Sequence, residues 1–308
     1  MNFTVTLQCV LIMLAYAVPG YVLVKSKKVP EKSISSFAAL LMYVLQPFLT
    51  IYSFQQVTYS AQLFGQMAIF FLLSAAIQII PAAVIFFAVR RKANIPSSRI
   101  TVITGVAGNV GFMGIPLMNA LLPDYPEATA FSAVFFLSMG ILSWTVGVAC
   151  ITGDVKYISL KKAFLNPSML GMAIALPLFF LRISLPDAVM GPVSLLANMT
   201  TPVCMLILGM RFGTVKLREI FSERSIYPSA LVKLIIVPLL AFAATYFMPV
   251  PSGLKAALII MSACPTANVV LSLSELYGVG QKTAALAVLS STLFSVVTIP
   301  VVLLVLNL

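Results

Sequence analysis

GVAGNVGFMGIPL, residues 105–117, sets Gly105, Gly108, Asn109, Gly111, Gly114 and Pro116 into one apolar run. Counted from Ile100 at about 1.5 Å per residue, Asn109 lies about 15 Å deep, near the middle of a bilayer core of roughly 30 Å. A second such stretch, SACPTANVVLSLSELYG at 262–278, puts Pro265 about 18 Å from Gly253. Each proline removes a backbone donor and crowds the carbonyl four residues earlier, that of Phe112 or of Met261. Unpaired backbone groups at that depth are tolerated only where they face protein or a wet cavity. Two helices are therefore predicted to break in mid-membrane.

The rest of the chain supports a membrane setting. Of 308 residues, 61% are hydrophobic and 9% charged, and the mean hydropathy is +1.07, beyond what a water-facing surface allows. Apolar runs fall near 4–24, 34–54, 63–89, 100–122, 128–151, 163–181, 188–210, 226–248, 253–277 and 283–306, which predicts ten transmembrane helices and no separate soluble domain. The N-terminus lacks the basic region of a signal peptide and is expected to be a retained first helix.

Charge sets the orientation. The net charge of +11 lies in short clusters beside apolar runs, the pattern of membrane loops, so no nucleic-acid partner is expected. Lys25, Lys27, Lys28 and Lys32 follow the first span; Arg90, Arg91, Lys92 and Arg99 the third; Lys156, Lys161 and Lys162 the fifth; Arg211, Lys216, Arg218 and Arg224 the seventh; Lys282 the ninth. These are sixteen of the nineteen bases; Arg182 and Lys255 are on the opposite loops and Lys233 is inside the eighth span. By the positive-inside rule the odd loops are cytoplasmic and both termini are outside the cell membrane.

The chain also resembles itself. LQPFLTIYSF around Pro47 matches TTPVCMLILG around Pro202, AIQIIPAAVIFFA around Pro81 matches VKLIIVPLLAFAA around Pro238, and 126–134 matches 280–288, at offsets of 155, 157 and 154 residues. Five helices per half is an odd number, so repeats 1–154 and 155–308 are expected to enter the membrane in opposite senses, as in secondary transporters with a midplane site. Spans 4 and 9 then aim the N-termini of their second halves at one point, where dipole ends and free N–H groups favour an anion. Asn109 and Asn268 add amide groups there. The bland alternative is that these breakers only permit close packing.

Other polar residues leave alternatives open. Lys233 either attracts substrate charge, replaces a coupling cation, snorkels to an interface or caps broken-helix carbonyls. Glu275 is a solvated helix-end carboxylate or a cation or proton site. Ser74 and Gln78, one turn apart, form a polar face or make packing hydrogen bonds. Cys9, Cys150, Cys204 and Cys264 sit in apolar runs without paired spacing and read as core residues, and histidine is absent. No catalytic, metal or cofactor motif is found, so no cofactor is expected and the chain is not read as an enzyme.

GNVGFMGIPL, ACPTANVVLSLSELYG and AVLSSTLFSVVTIPVVLLVL together resemble the auxin efflux carrier family, related more distantly to bile-acid/sodium symporters, along the whole chain; Val110 stands where the family usually has threonine. The resemblance implies an all-α membrane protein of ten transmembrane helices in two inverted five-helix repeats, with broken crossing helices 4 and 9. It further implies scaffold helices 1, 2, 6 and 7 beside a mobile bundle of helices 3–5 and 8–10. A substrate carboxylate held at the crossover maps onto Asn109, Gly111, Pro116, Pro265, Thr266 and Asn268. The region of the charged pair in helix 3 of plant members is occupied by uncharged Ser74 and Gln78, and the plant members' long loop after helix 5 is replaced by a short connection at 152–162.

The functional expectation is efflux of a small organic anion, a carboxylate or auxin-like acid, by alternating access. A lipid- or sterol-binding sensor without transport is the alternative, and a channel is disfavoured by the repeat. Membrane lipids and a homodimer through the scaffold helices are the expected partners. Cysteine labelling should place position 92 inside and position 124 outside; finding both on one face would sink the topology and the repeat argument with it.

Overall fold

A computed structural model describes residues 3–92, 94–159, 161, 167–223 and 226–306. Lys162, Arg224 and the start of the sixth predicted span lie outside these residues. Among the described residues the regular elements are helices, joined by one isolated antiparallel bridge between Gly108 and Thr266.

Among the described residues seven helices are long and apolar enough to cross a membrane: α1 (Phe3–Lys25), α2 (Ser33–Gln55), α3 (Ala61–Val89), α5 (Glu127–Thr152), α7 (Asp187–Thr214), α8 (Ile226–Tyr246) and α10 (Gln281–Val305). The sixth, α6 (Pro167–Phe180), is shorter. The two stretches dense in breakers are each divided, into α4a (Pro96–Thr104) and α4b (Val110–Leu121), and into α9a (Ser252–Ala263) and α9b (Asn268–Tyr277). The gaps fall at 105–109 and 264–267, as the glycine and proline content requires.

Pro116 does not itself make the first break. It lies two residues beyond a π-helical turn at Val110–Gly114. The same arrangement occurs at Leu41–Leu45 before Pro47 and at Val232–Ile236 before Pro238. A proline ring meets the carbonyl four residues back, here in the wider turn, and the π-helical winding relieves that crowding. A fourth π turn, Ser143–Gly147 in α5, has no proline behind it.

The helices turn their polar side chains inward. Ser74, Gln78, Ser138, Thr200, Lys233, Ser262 and Ser291 are buried, while Leu72, Val84, Phe87, Leu195, Val297 and Val305 are exposed. That distribution is the reverse of a protein in water and suits one in lipid. Inside, Ser53 Oγ donates to Leu49 O at 2.8 Å and Thr245 Oγ1 to Ala241 O at 2.8 Å, so small hydroxyls are satisfied within their own helices.

The helix ends gather at two faces. At one, Arg99 Nε of α4a donates to Cys150 O of α5, Tyr157 lies against Tyr277, and Arg211 of α7 meets Glu275 of α9b. At the other, Gln55 bonds Ile183 O and Leu185 N beyond α6, and Tyr125 bonds Ser252 at the start of α9a. Gly153 (φ +76°) and Gly278 (φ +67°) end α5 and α9b in the left-handed conformation that glycine adopts without strain.

The most extensive packing joins α7 to the second part of α1 and to α2, and α6 to α2. At the α1–α7 crossing, a Cβ on Gly20 would run into the backbone of Leu206, and one on Gly209 into that of Ala17. Small residues let membrane helices approach this closely, where dispersion rather than the hydrophobic effect holds them. Gly209→Val should separate α1 from α7 and lower stability in detergent by about 1–3 kcal/mol. An unchanged unfolding temperature would show that the backbones do not meet.

Candidate functional site: the crossover of the two broken helices

Where α4 and α9 break, their unwound segments lie against each other. Asn109 N donates to Pro265 O at 2.6 Å, and Ala267 N donates to Ala107 O at 2.9 Å. The innermost free groups of each break are therefore paired with the other break. Thr266 adds a third link, its Oγ1 donating to Thr104 O at 2.9 Å while its N–H donates to Ser291 Oγ of α10 at 3.0 Å. Met261 of α9a packs onto Gly114, where a Cβ would come within 2.6 Å of its sulfur.

α4b and α9b start from this junction. The N–H groups of Gly111 and Phe112, and of Asn268 and Val269, precede any intrahelical acceptor. All four residues line a small cavity of about 50 Å³, together with Asn109. Neither helix has a side-chain cap at its start. Two positive helix ends thus open on one space. The opposite wall comes from α2 (Leu41, Met42, Gln46), α5 (Phe136, Met139, Trp144) and Ile207 of α7.

The amides at this wall have weak partners. Asn268 Nδ2 donates to Cys204 Sγ of α7 at 3.5 Å, and the Asn109 side chain lies near the same sulfur. A buried thiol is a poor acceptor. An anionic oxygen placed between the two amides would form shorter, charge-assisted bonds.

Of the residues singled out from sequence, Asn109, Gly111 and Asn268 come together at the cavity, whereas Pro116, Pro265 and Thr266 do not line it. Ser74 and Gln78 form one cluster with Ser138 of α5: Ser74 Oγ and Ser138 Oγ are 2.8 Å apart, and Gln78 Nε2 donates to Ser138 Oγ at 2.9 Å. It joins α3 to α5 away from the cavity. Glu275 pairs with Arg211 at 2.6 Å and lines a polar vestibule of about 580 Å³ with Glu31, Lys32, Glu219 and Lys282. Lys282 bonds Glu219 at 2.8 Å, which holds that carboxyl below its ordinary range.

Lys233 is fully buried, 0% exposed. Its Nζ donates to Ser262 O at 2.6 Å, in the last turn of α9a, and its Cε and Nζ pack on Gly108 of the other break. The amine therefore stands at the negative end of α9a, against Gly108, and does not itself line the cavity. Sequence reading missed Gln46, Ser138, Arg211 and Trp144. Gln46 had a signal, being a lone amide directly before a proline in an apolar span; Ser138 and Trp144 have none beyond their residue type.

The family described as "Membrane transport protein" matches residues 4–160 and 151–303. The chain belongs to this family, that of the auxin efflux carrier transporters. It is also similar to an uncharacterized transporter of Methanocaldococcus jannaschii, 24% identical over 206 residues, 64% of this chain and 65% of that protein. The chain thus matches somewhat less than two thirds of that relative's length.

Lys233→Met keeps most of the stem volume but strips the Ser262 carbonyl of its donor. The variant should lose about 1–3 kcal/mol of stability, measured as thermal unfolding in detergent. Full stability would remove the capping role.

Proposed function

We propose that the chain is a secondary transporter that moves a small organic anion by alternating access, with the carboxylate held where α4 and α9 cross. The observation that carries this reading is the cavity onto which two half-helix N-termini and the amides of Asn109 and Asn268 open. Fixed N–H dipoles in a space shielded from water are suited to an anion without a basic side chain beside it. The apolar surfaces of Met42, Phe136 and Trp144 suit the hydrocarbon part of such an acid.

A volume of about 50 Å³ holds a water or two, well short of the several hundred Å³ that enclose an organic ligand. Binding therefore requires the α2 and α7 walls to move away from the crossover. Packing supports most of the division that such a motion needs: the second part of α1 packs with α2, α6 and α7 as the scaffold, α3–α5 with α8–α10 form the moving bundle, and the first part of α1 lies against α10 and α4b of that bundle. The internal sequence matches around Pro47 and Pro202 and around Pro81 and Pro238 support inverted repeats, ten spans and a midplane site.

We place the basic face, with its vestibule, in the cytoplasm and both termini outside the cell membrane. On α9b, Leu271 of the vestibule adjoins Ser272 of the cavity and Glu275 lies about one turn beyond it, which makes this the inner route to the site. Arg211–Glu275 bridges scaffold and bundle across that route. Lys233, when protonated, brings a positive charge to the crossover, the role a coupling cation would otherwise have. Efflux is assigned by family analogy.

Reconstituted protein should carry labelled carboxylates across proteoliposomes. Asn109→Ala and Asn268→Ala should each weaken substrate binding by about 1.5–3 kcal/mol, roughly ten- to a hundredfold, with little change in ligand-free stability. Normal binding by both variants would leave the crossover as architecture alone, and binding without flux would favour the sensor alternative.

A further inference from the structure

Gln46 is 3% exposed, lines the cavity from α2, and its Nε2 meets no acceptor. Native proteins seldom bury an amide donor unmet, and one on a residue that lines a cavity has a partner within reach if the cavity fills. Gln78 also has a buried amide atom without a partner, its Oε1, but does not line the cavity. The backbone around Gln46 fixes where its side chain stands. The π turn Leu41–Leu45 ends just before it, Pro47 follows, and Thr50 Oγ1 takes up its carbonyl at 3.2 Å.

The three cavity amides are thus divided between two bodies. Asn109 and Asn268 belong to the crossover, and Gln46 to the helix facing it. A carboxylate seated at the half-helix ends is met by the first two. The Gln46 donor is left for a different atom of the same ligand, across a wall that is otherwise apolar.

We propose that Gln46 determines specificity, its carboxamide donating to a second oxygen of the substrate, so that the preferred substrates are small acids bearing an oxo or similar acceptor besides the carboxylate. This rests on the crossover being the carboxylate site. A ligand of that class ties α2 to the crossover, whereas a plain hydrocarbon acid leaves the Gln46 donor buried and unmet. A site built to bond an oxygen rejects the analogue that lacks it.

The test uses the full-length protein in detergent and two isosteric pairs of acids: 4-oxopentanoate against 4-methylpentanoate, and 4-methyl-2-oxopentanoate against 2,4-dimethylpentanoate. Calorimetry should show the oxo acid of at least one pair bound about tenfold or more tightly by the native chain. Gln46→Met should reduce that preference to within about twofold while still binding the hydrocarbon acid, and Asn109→Ala should weaken both members of the pair. Ligand-free thermal stability of Gln46→Met should be equal or higher, since an unmet donor has been removed; a fall would mark Gln46 as a structural residue and overturn the proposal. So would equal binding within both pairs by the native chain, or a preference that survives in Gln46→Met. Failure of the native chain to bind any of the four acids would count first against the carboxylate site, and the assignment of Gln46 would fall with it.

Discussion

Lipid offers no partner to a broken backbone, and the architecture follows from that constraint. Both interruptions lie deep in the protein, and each supplies what the other lacks: Asn109 N to Pro265 O, Ala267 N to Ala107 O, and Thr266 Oγ1 to Thr104 O. Neither break is tenable alone, since each exposed N–H or carbonyl in hydrocarbon would be worth several kcal/mol against folding. Two breaks that meet remove that penalty and leave two helix starts facing one space. Lys233 completes the arrangement from behind, with its amine on the Ser262 carbonyl at the end of α9a.

The proposed anion site would differ from a soluble anion pocket in where its charge sits. Among the described residues no basic side chain lines the cavity; the positive potential would come from helix ends and from amides, that of Asn268 now set against a thiol. Such a site would hold an anion without the strong attraction of an arginine, as release of a substrate requires. Ion pairs appear instead at the basic face, where Arg211–Glu275 and Lys282–Glu219 tie neighbouring elements together.

Much of the fold was legible in the sequence because the bilayer fixes the length of a span and forbids casual irregularity. The apolar runs ended within a few residues of the observed helices, and the glycines and prolines at 105–116 and at 265 marked two real interruptions. The candidate site is legible in part. Asn109, Gly111 and Asn268, which line the cavity, are polar or breaking residues conspicuous at mid-depth, but depth does not say which way a residue faces. Pro116, Pro265 and Thr266 share the depth and do not line the cavity. Gln46 was passed over because it depends on a face rotated by a π turn that no simple periodicity shows. Lys233 was conspicuous from the start, yet its partner lies on another helix, 29 residues on.

The four π turns have a consequence for movement. Gln46 follows the first, Gly111 lies in the second, Trp144 in the third and Lys233 in the fourth, so each borders the crossover or its cavity. A π turn accommodates one residue more than an α turn over a similar stretch of axis, and that residue is slack. Rewinding such a turn to α would swing the side chains beyond it by about 100° around the axis. Residues that face the cavity can then be exchanged for their neighbours by twisting a helix in place, a small local rearrangement in a wall that is otherwise anchored at both membrane surfaces.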